Sequence, residues 1–276
     1  MMPPRPMPWR ILVTILLITV VICWSWWQID LAPSGLLTLD TWRALGDVAE
    51  RFLTPSLKPE VLKLVGEATL TTFALATCGS LIAVVIALIL TPFACESLSV
   101  RKSPVDRATR PAARVGWMLL HHGARLIANI LRTTPYLVWA LILMLVCGLG
   151  PAPAAISLGL HTGGVLTRLF AGVFDADNQT PALALHQTGA GRWGILLFAV
   201  LPQVRAQLVA LSLYRWEINL REATVLGLLA AGGLGHELAM AFGQFKYQTM
   251  VTVLVAIIAL VCLGEFLSGW LRRRWC

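Results

Sequence analysis

Four charged residues stand together in an otherwise apolar stretch of the second half of the chain. Arg215, Glu217, Arg221 and Glu222 fall within about two turns of helix, with Asn219 among them. On insertion scales, a charged residue at the centre of a membrane-spanning helix costs about 2.5–3.5 kcal/mol. Because lipid contact would cost so much, these side chains are expected to face protein or water.

Their spacing indicates which of them can interact. Glu217 and Arg221 are four residues apart and can form an ion pair on one helix face. Arg215 and Glu222 are seven residues apart, so we expect them to share a face without touching. Arginine donates several hydrogen bonds to the oxygens of an anion. Two interpretations remain open: a hydrophilic path for an anion, or an internal ion-pair network that fixes helix packing.

A second polar position lies in the middle of an earlier apolar stretch. His161 and Thr162 interrupt the apolar residues there. We include His161 among the candidate path residues. The alternative is that it is a packing residue whose hydrogen bonds are satisfied within a helical bundle.

The sequence shows none of the usual patterns of an enzyme or a cofactor site. The six cysteines form no C-x-x-C pair, and most lie in apolar stretches as small packing residues. His121 and His122 have no acidic cluster beside them that would favour a metal site. The segment 232–235 is Gly-rich but follows no strand and lacks the Lys-Ser/Thr of a nucleotide-binding loop, so it is interpreted as a bend with close helix packing. We predict no catalytic residue, no metal and no cofactor.

The composition indicates a membrane protein. Of 276 residues, 57% are hydrophobic and 13% are charged, and the mean hydropathy is +0.75. Several apolar stretches reach the ~20 helical residues needed to cross a hydrocarbon core of ~30 Å. An all-α membrane protein with six transmembrane helices and a lipid-facing surface is therefore predicted. The net charge of +8 is typical of Lys and Arg retained in cytoplasmic loops, so no nucleic-acid partner is expected.

The predicted helices cover residues 9–29, 68–94, 133–149, 154–174, 203–226 and 250–271. Pro135 is expected to break the third helix near its start. Hydropathy also allows the fifth helix to cover 194–213, but Pro202 at a helix N-terminus favours the later start. Trp24, Trp26 and Trp27 resemble an interfacial belt and no cleavage site follows them, so we expect the first helix to be retained.

These helices divide the chain into an N-terminal transmembrane helix with a periplasmic segment, 1–67, and a core of five helices, 68–276. An even number of helices places both termini on one side. Most of the 22 Lys and Arg residues lie at the termini and in the loops 95–132 and 175–205. By the positive-inside rule, both termini are predicted to be cytoplasmic.

A short helix is predicted within the cytoplasmic loop. Thr180 can cap its N-terminus, Pro181 suits its first position, and Gly189 can end it in a left-handed conformation. About two turns of helix are too short to be stable alone. The helix therefore needs a surface to pack on, either a partner protein or the bilayer, where Trp193 would act as an anchor.

This loop resembles the coupling loop of binding-protein-dependent ABC importer permeases. The family pattern is E-A-A, three residues, G, nine residues, I, one residue and L-P. The chain keeps that spacing, with Leu183 in place of the Glu and Ala199 in place of the Ile. The resemblance implies that loop 175–202 docks on ATPase subunits. The coupling residues would be Ala182, Leu183, Ala184, Leu185, His186, Gly189, Leu201 and Pro202.

Four segments further resemble the phosphonate-type permeases, which import phosphonates and related phosphorus oxyanions. These segments are 132–141, 160–165, 214–221 and 223–227. Tyr136 stands where that family usually has an acidic residue. The resemblance implies the type I ABC importer permease fold in a bacterial inner membrane. It also implies a pair of copies of this chain, separate ATPase subunits and a periplasmic substrate-binding protein. The path residues would be His161, Arg215, Glu217, Asn219, Arg221 and Glu222.

Three alternatives are weaker. A permease for methionine or an osmoprotectant would share a similar loop and Gly-rich end, but such a solute has less use for two arginines in one helix. An intramembrane enzyme would need a buried catalytic pair or a metal cluster. A membrane scaffold would have no need to carry charges within a span.

Overall fold

A computed structural model of the chain describes residues 9–28, 42–43, 46, 54–96, 111–176 and 180–275. Its regular elements are helices, which confirms the all-α class. They are α1 Trp9–Gln28, α2 Pro59–Ala94, α3 Pro111–Thr133, α4 Tyr136–Cys147, α5 Pro151–Ala176, α6 Thr180–Gln187, α7 Arg192–Ile195, α8 Leu201–Leu226, α9 Gly233–Gly243 and α10 Tyr247–Trp275. Two π-helical segments, Leu196–Val200 and Gly227–Ala231, adjoin α8 at its ends.

The chain forms two compact units, Met1–Leu53 and Thr54–Cys276. Within the first unit, α1 is apolar and exposed all around its surface, as expected of a helix that lies in lipid. Its bounds agree closely with the predicted first helix. The second unit contains the remaining helices. The predicted division between residues 67 and 68 stays a prediction, and α2 runs across it.

Four helical stretches of the described residues are long and apolar enough to cross a membrane: Trp9–Gln28, Pro59–Ala94, Arg192–Leu229 and Tyr247–Arg274. Together, α3 and α4 form a fifth, bent by 91° at the predicted break beside Pro135. The predicted fourth span is α5, which has 26 residues but a more polar sequence. It packs against α2, α3, α4 and α8, and the polar side chains of Ser157, Thr162 and Thr167 are buried among these helices. The count of six spans stays a prediction.

Two predicted helix starts are wrong. The second helix begins at Pro59 rather than at residue 68, because a proline in the first turn and the acidic Glu60 favour an N-terminus there despite their polarity. The fifth helix is continuous with α7 and begins at Arg192 rather than at residue 203. The widened π turn directly before Pro202 relieves the clash of the proline ring with the preceding helical turn.

The Gly-rich segment forms the predicted bend with close packing. Gly232 and Gly233 have φ of 83° and 76°, which favours glycine. A Cβ on Gly227 would lie 2.8 Å from the Cα of Gly235, so the end of α8 and the start of α9 touch through their backbones. Thr72 Oγ1 on α2 accepts a hydrogen bond from the Leu234 N–H at 2.9 Å. The bend leads into α9, a helix that the sequence did not predict.

Candidate functional site

The charged residues of α8 project from two opposite faces of the helix. At 3.6 residues per turn, Arg215, Asn219 and Glu222 share one face and Glu217 and Arg221 share the other. The first group points toward α5 and α2, and the second toward α10. The single lining suggested by the sequence is therefore two separate clusters.

Arg215 and Glu222 form the inner cluster. The Arg215 Nη2 lies 3.9 Å from the Glu222 Oε1 and 3.3 Å from the Thr162 Oγ1. Their side chains are only 11% and 17% exposed. The prediction that they are too distant to touch is wrong, because two long side chains reach toward each other along the same helix face. Within the described residues, Arg215 Nε and Glu222 Oε2 are buried without a hydrogen-bond partner.

Asn219 joins three helices at the same depth. Its Oδ1 accepts from the Thr162 Oγ1 of α5 at 2.8 Å, and its Nδ2 donates to the Ser80 Oγ of α2 at 2.7 Å. Asn219 is fully buried. Both the oxygen and the nitrogen of its side-chain amide are therefore hydrogen-bonded to other side chains of the protein. This favours the packing interpretation for this residue.

His161 lies beside the break between α3 and α4. The Val138 N–H donates to Pro135 O rather than continuing the ladder to Thr134 O. The His161 Nδ1 lies 3.0 Å from that Thr134 oxygen, and its ring lies 5.9 Å from the ring of Tyr136. A histidine with its proton on Nδ1 satisfies a carbonyl that the broken helix leaves open. This contact also favours a packing role.

Glu217 and Arg221 belong to an outer network that includes α10. The Arg221 Nη2 donates to Glu217 Oε1 at 2.9 Å and to Glu265 Oε1 at 3.0 Å. The Arg272 Nη2 donates to Glu217 Oε2 at 3.2 Å. The predicted Glu217–Arg221 pair is confirmed. Sequence reasoning missed Glu265 and Arg272, although a lone carboxylate in the apolar last helix was a signal for Glu265.

The outer network is partly open at the surface of the chain. The side chains of Arg221 and Glu265 are 51% and 50% exposed, whereas Glu217 is 10% exposed. Three more polar residues of α8, Gln203, Gln207 and Tyr214, are exposed along the same face. We call Gln203, Gln207, Tyr214 and Arg221 the polar stripe. Charged residues within a span face protein or water, so this stripe is not a lipid surface.

The predicted short helix is present as α6. Gly189 has a φ of 85°, and the Ala190 N–H donates to Leu185 O at 3.4 Å, which is the Schellman pattern that ends a helix. The prediction for Gly189 is thereby confirmed. Residues 177–179, which precede α6, lie outside the described residues, so capping by Thr180 stays a prediction.

The two faces of α6 differ. Ala182 and Leu185 pack on an apolar cluster that includes Leu196 and Ala199 of the π-helical segment. Leu201 packs on the same cluster, whereas Pro202 is exposed. Leu183 is 43% exposed and Ala184 is exposed as well, while the side chain of His186 lies outside the described residues. The outer face of α6, with Leu183, is the one available to a partner.

Contacts with α2 and α3 hold the helix that follows α6. The guanidinium of Arg192 lies 4.5 Å from the centre of the Trp117 ring, a cation–π contact. The rings of Trp193 and Phe93 are 6.0 Å apart, edge to face. Nearby, Arg125 and Glu96 form an ion pair at 3.0 Å. The helix α7 is therefore packed against both α2 and α3.

The inner cluster yields a stability prediction. Replacing Glu222 with Gln removes the carboxylate that compensates the buried Arg215, and we expect the unfolding free energy to fall by about 3–5 kcal/mol. Thermal unfolding of the purified protein in detergent measures this change. The control is Glu265→Gln, where the half-exposed carboxylate should contribute no more than ~1 kcal/mol. Equal effects of the two variants would contradict the assignment of Arg215 and Glu222 as a buried pair.

Comparison with known proteins places this arrangement in a family. Residues 114–275 match the family described as binding-protein-dependent transport system inner membrane component. The phosphite transport system permease protein PtxC of Stutzerimonas stutzeri is 38% identical over 152 residues, which are 55% of each protein. The putative phosphite transport system permease protein HtxC of the same organism is 31% identical over 212 residues, 77% of this chain and 68% of HtxC.

Two further similarities come from a shorter protein and from a solved structure. The putative cryptic phosphonate transport system permease protein PhnE2 of Escherichia coli is 40% identical over 120 residues, 44% of this chain and 98% of PhnE2. An inward-facing structure of the MetNI methionine ABC transporter contains a chain with a TM-score of 0.63 at 20% identity, covering 80% of this chain and all of that one. That likeness shows the fold. The chain belongs to the family of inner-membrane components of binding-protein-dependent transport systems.

Proposed function

We propose that this chain is the permease subunit of a type I ABC importer for a phosphorus oxyanion such as phosphite or a phosphonate. The relatives whose names specify these substrates are 31–40% identical to this chain over 120–212 residues. The observation that carries the proposal is the half-exposed Arg221 within an apolar span. If the charged residues served only to pack helices together, a half-exposed arginine within the span would carry an insertion cost without a function.

The outer network suits passage of an anion. Both carboxylates bind the same nitrogen of Arg221, Nη2. In the part of the chain that the structure describes, no carboxylate binds Nε or Nη1, so these N–H groups can donate to the oxygens of a phosphorus oxyanion. The four members of the network have no net charge together. Binding is therefore expected to be weak enough for release, as a translocation path requires.

The stripe also favours a pair of copies. The stripe lies along a helical stretch that is apolar enough to cross a membrane, and two copies placed stripe to stripe would enclose a water-filled path. Separate ATPase subunits would bind the outer face of α6, and a periplasmic binding protein would deliver the substrate from the opposite side. Closure of the ATPases would move α6, and with it α8, between inward-facing and outward-facing states.

The orientation in the inner membrane is a separate prediction. We expect both termini to be cytoplasmic, as the distribution of basic residues indicates. Reporter fusions at Lys58 and Pro151 should give periplasmic signals, and fusions at Pro104, Asn178 and Cys276 cytoplasmic ones. A cytoplasmic signal at Pro151 would mean that α5, or the broken pair α3 and α4, does not cross the membrane.

The substrate class can be tested by uptake. The chain would be expressed with its ATPase and binding protein in a host that lacks phosphite and phosphonate uptake. We expect ATP-dependent uptake of labelled phosphite or methylphosphonate, and no uptake of methionine or carnitine. The alternative has some support, because the carnitine transport permease protein OpuCD of Listeria monocytogenes is 25% identical over 166 residues. Uptake of carnitine or methionine without any phosphorus oxyanion would overturn the proposal.

A further inference from the structure

An apolar groove lies between α2, α8 and α10, away from the charged residues. Its volume is about 300 Å³. The residues that line it are Thr69, Leu70, Phe73, Trp216, Leu220, Leu260, Leu263, Gly264 and Leu267. Among the aromatic residues of the lining, the indole N–H of Trp216 is the one polar group. It donates a hydrogen bond to Thr77 Oγ1 at 3.2 Å. Little in the groove could hold a polar ligand, whereas a hydrocarbon chain would fit its chemistry.

The face of α10 that lines the groove continues to a cation at the end of the helix. Leu260, Leu263, Leu267, Trp270 and Arg274 follow one another at spacings of three and four residues, which places them on one helix face. The guanidinium of Arg274 lies 5.3 Å from the centre of the Trp270 ring. Along this face, apolar side chains are followed by a tryptophan and then by a cation. A bilayer leaflet has the matching order, from the hydrocarbon core through the interface to the charged headgroups.

The length of this face matches one leaflet. From Leu263 to Arg274 the helix rises about 16 Å at 1.5 Å per residue. One leaflet contributes about half of the ~30 Å hydrocarbon core. A lipid whose phosphate lies at Arg274 would therefore place its acyl chain along the groove.

We propose that this groove and Arg274 form a binding site for a phospholipid with an anionic headgroup. The neighbouring basic residues do not share this role. Arg272 projects from the other side of α10 and donates to Glu217 at 3.2 Å, so the outer network uses its charge. Arg273 follows about 100° further around the helix and does not continue the groove face. The bound acyl chain would cover Leu220 and Gly264, where α8 and α10 are in contact.

The headgroup half of the site can be tested by native mass spectrometry of the transporter purified with its ATPase subunits. Phosphatidylglycerol and phosphatidylcholine with the same acyl chains would be titrated separately. We expect phosphatidylglycerol to bind about fivefold more tightly, since one surface arginine contributes about that factor toward an anionic lipid. Arg274→Gln should abolish this preference, and the matched Arg273→Gln should keep it. Equal affinity of the two lipids for the unmodified protein, or equal effects of the two variants, would overturn the assignment of Arg274.

The acyl-chain half needs a variant that fills the groove. Leu263 is 66% exposed, so Leu263→Trp adds bulk without opening the core. We expect bound phosphatidylglycerol to fall at least tenfold in this variant while the melting temperature is kept. Binding at the level of the unmodified protein would overturn the groove as the site. Inorganic phosphate at millimolar concentration should not displace the lipid, and displacement would mean that Arg274 binds a free anion instead. These readouts require no transport, so they are independent of the proposed substrate.

Discussion

Replacing Arg221 with Gln is expected to lower uptake of the phosphorus oxyanion at least about tenfold while the protein stays folded. The side chain is half exposed, so its loss removes the guanidinium N–H groups that face the open side of the outer network. The carboxylates that remain are tolerated, because Glu217 keeps Arg272 at 3.2 Å and Glu265 is half exposed to solvent. Loss of a charged hydrogen-bonding group that meets the substrate costs about 1.5–3 kcal/mol, which corresponds to at least tenfold. The measurement is uptake into vesicles with ATPase subunits and binding protein.

A double variant distinguishes a path from a structural ion pair. Arg221→Gln combined with Glu265→Gln removes one charge of each sign and leaves the Glu217–Arg272 pair intact. If the network only held α8 to α10, restoring the charge balance should restore transport. We expect no recovery. Recovery in the double variant would show that Arg221 acts through packing and would remove it from the proposed path.

Replacing Leu183 with Lys is expected to weaken association with the ATPase subunits at least about thirtyfold, because the coupling-loop pattern has the opposite charge, a Glu, at this position. Truncation or charging of a central interface residue costs 2 kcal/mol or more, which corresponds to that factor. Leu183 is 43% exposed on the outer face of α6, so a charge there leaves the chain's own core intact. Leu185 is a poorer test, because it packs on that core and its replacement would disturb α6 itself. The measurement is recovery of the ATPase with the tagged permease.

The matched control is a leucine exposed elsewhere. Leu149 is 75% exposed at the turn between α4 and α5, at the end of α5 opposite to the one that leads toward α6. Leu149→Lys introduces the same charge as Leu183→Lys and should retain the ATPase. Normal recovery of the ATPase with Leu183→Lys would exclude α6 as the coupling helix, provided that both variants reach the membrane in equal amounts.

Signals that depend on a few neighbouring residues could be interpreted from the sequence. Continuous apolar residues predicted α1, most of α2 and α10, because only length and composition decide whether a helix suits a membrane. Pro135 predicted the break in the third span, and Gly189 predicted the end of α6. The Glu217–Arg221 pair followed from the geometry of a single helix. In the last three cases the cause and the structure lie within one or two turns, and for the long helices the cause lies within the helix itself.

Only the tertiary structure decided which polar residues are buried and which are exposed. Asn219 and Arg221 are two residues apart, yet one is fully buried between three helices and the other is half exposed. Glu265 and Arg272 join Glu217 and Arg221 across a helix pair, although they are far away along the chain. The rotation and axial position of one helix against another fix these contacts. Both depend on the packing of all neighbouring helices together, which no local spacing in the sequence encodes.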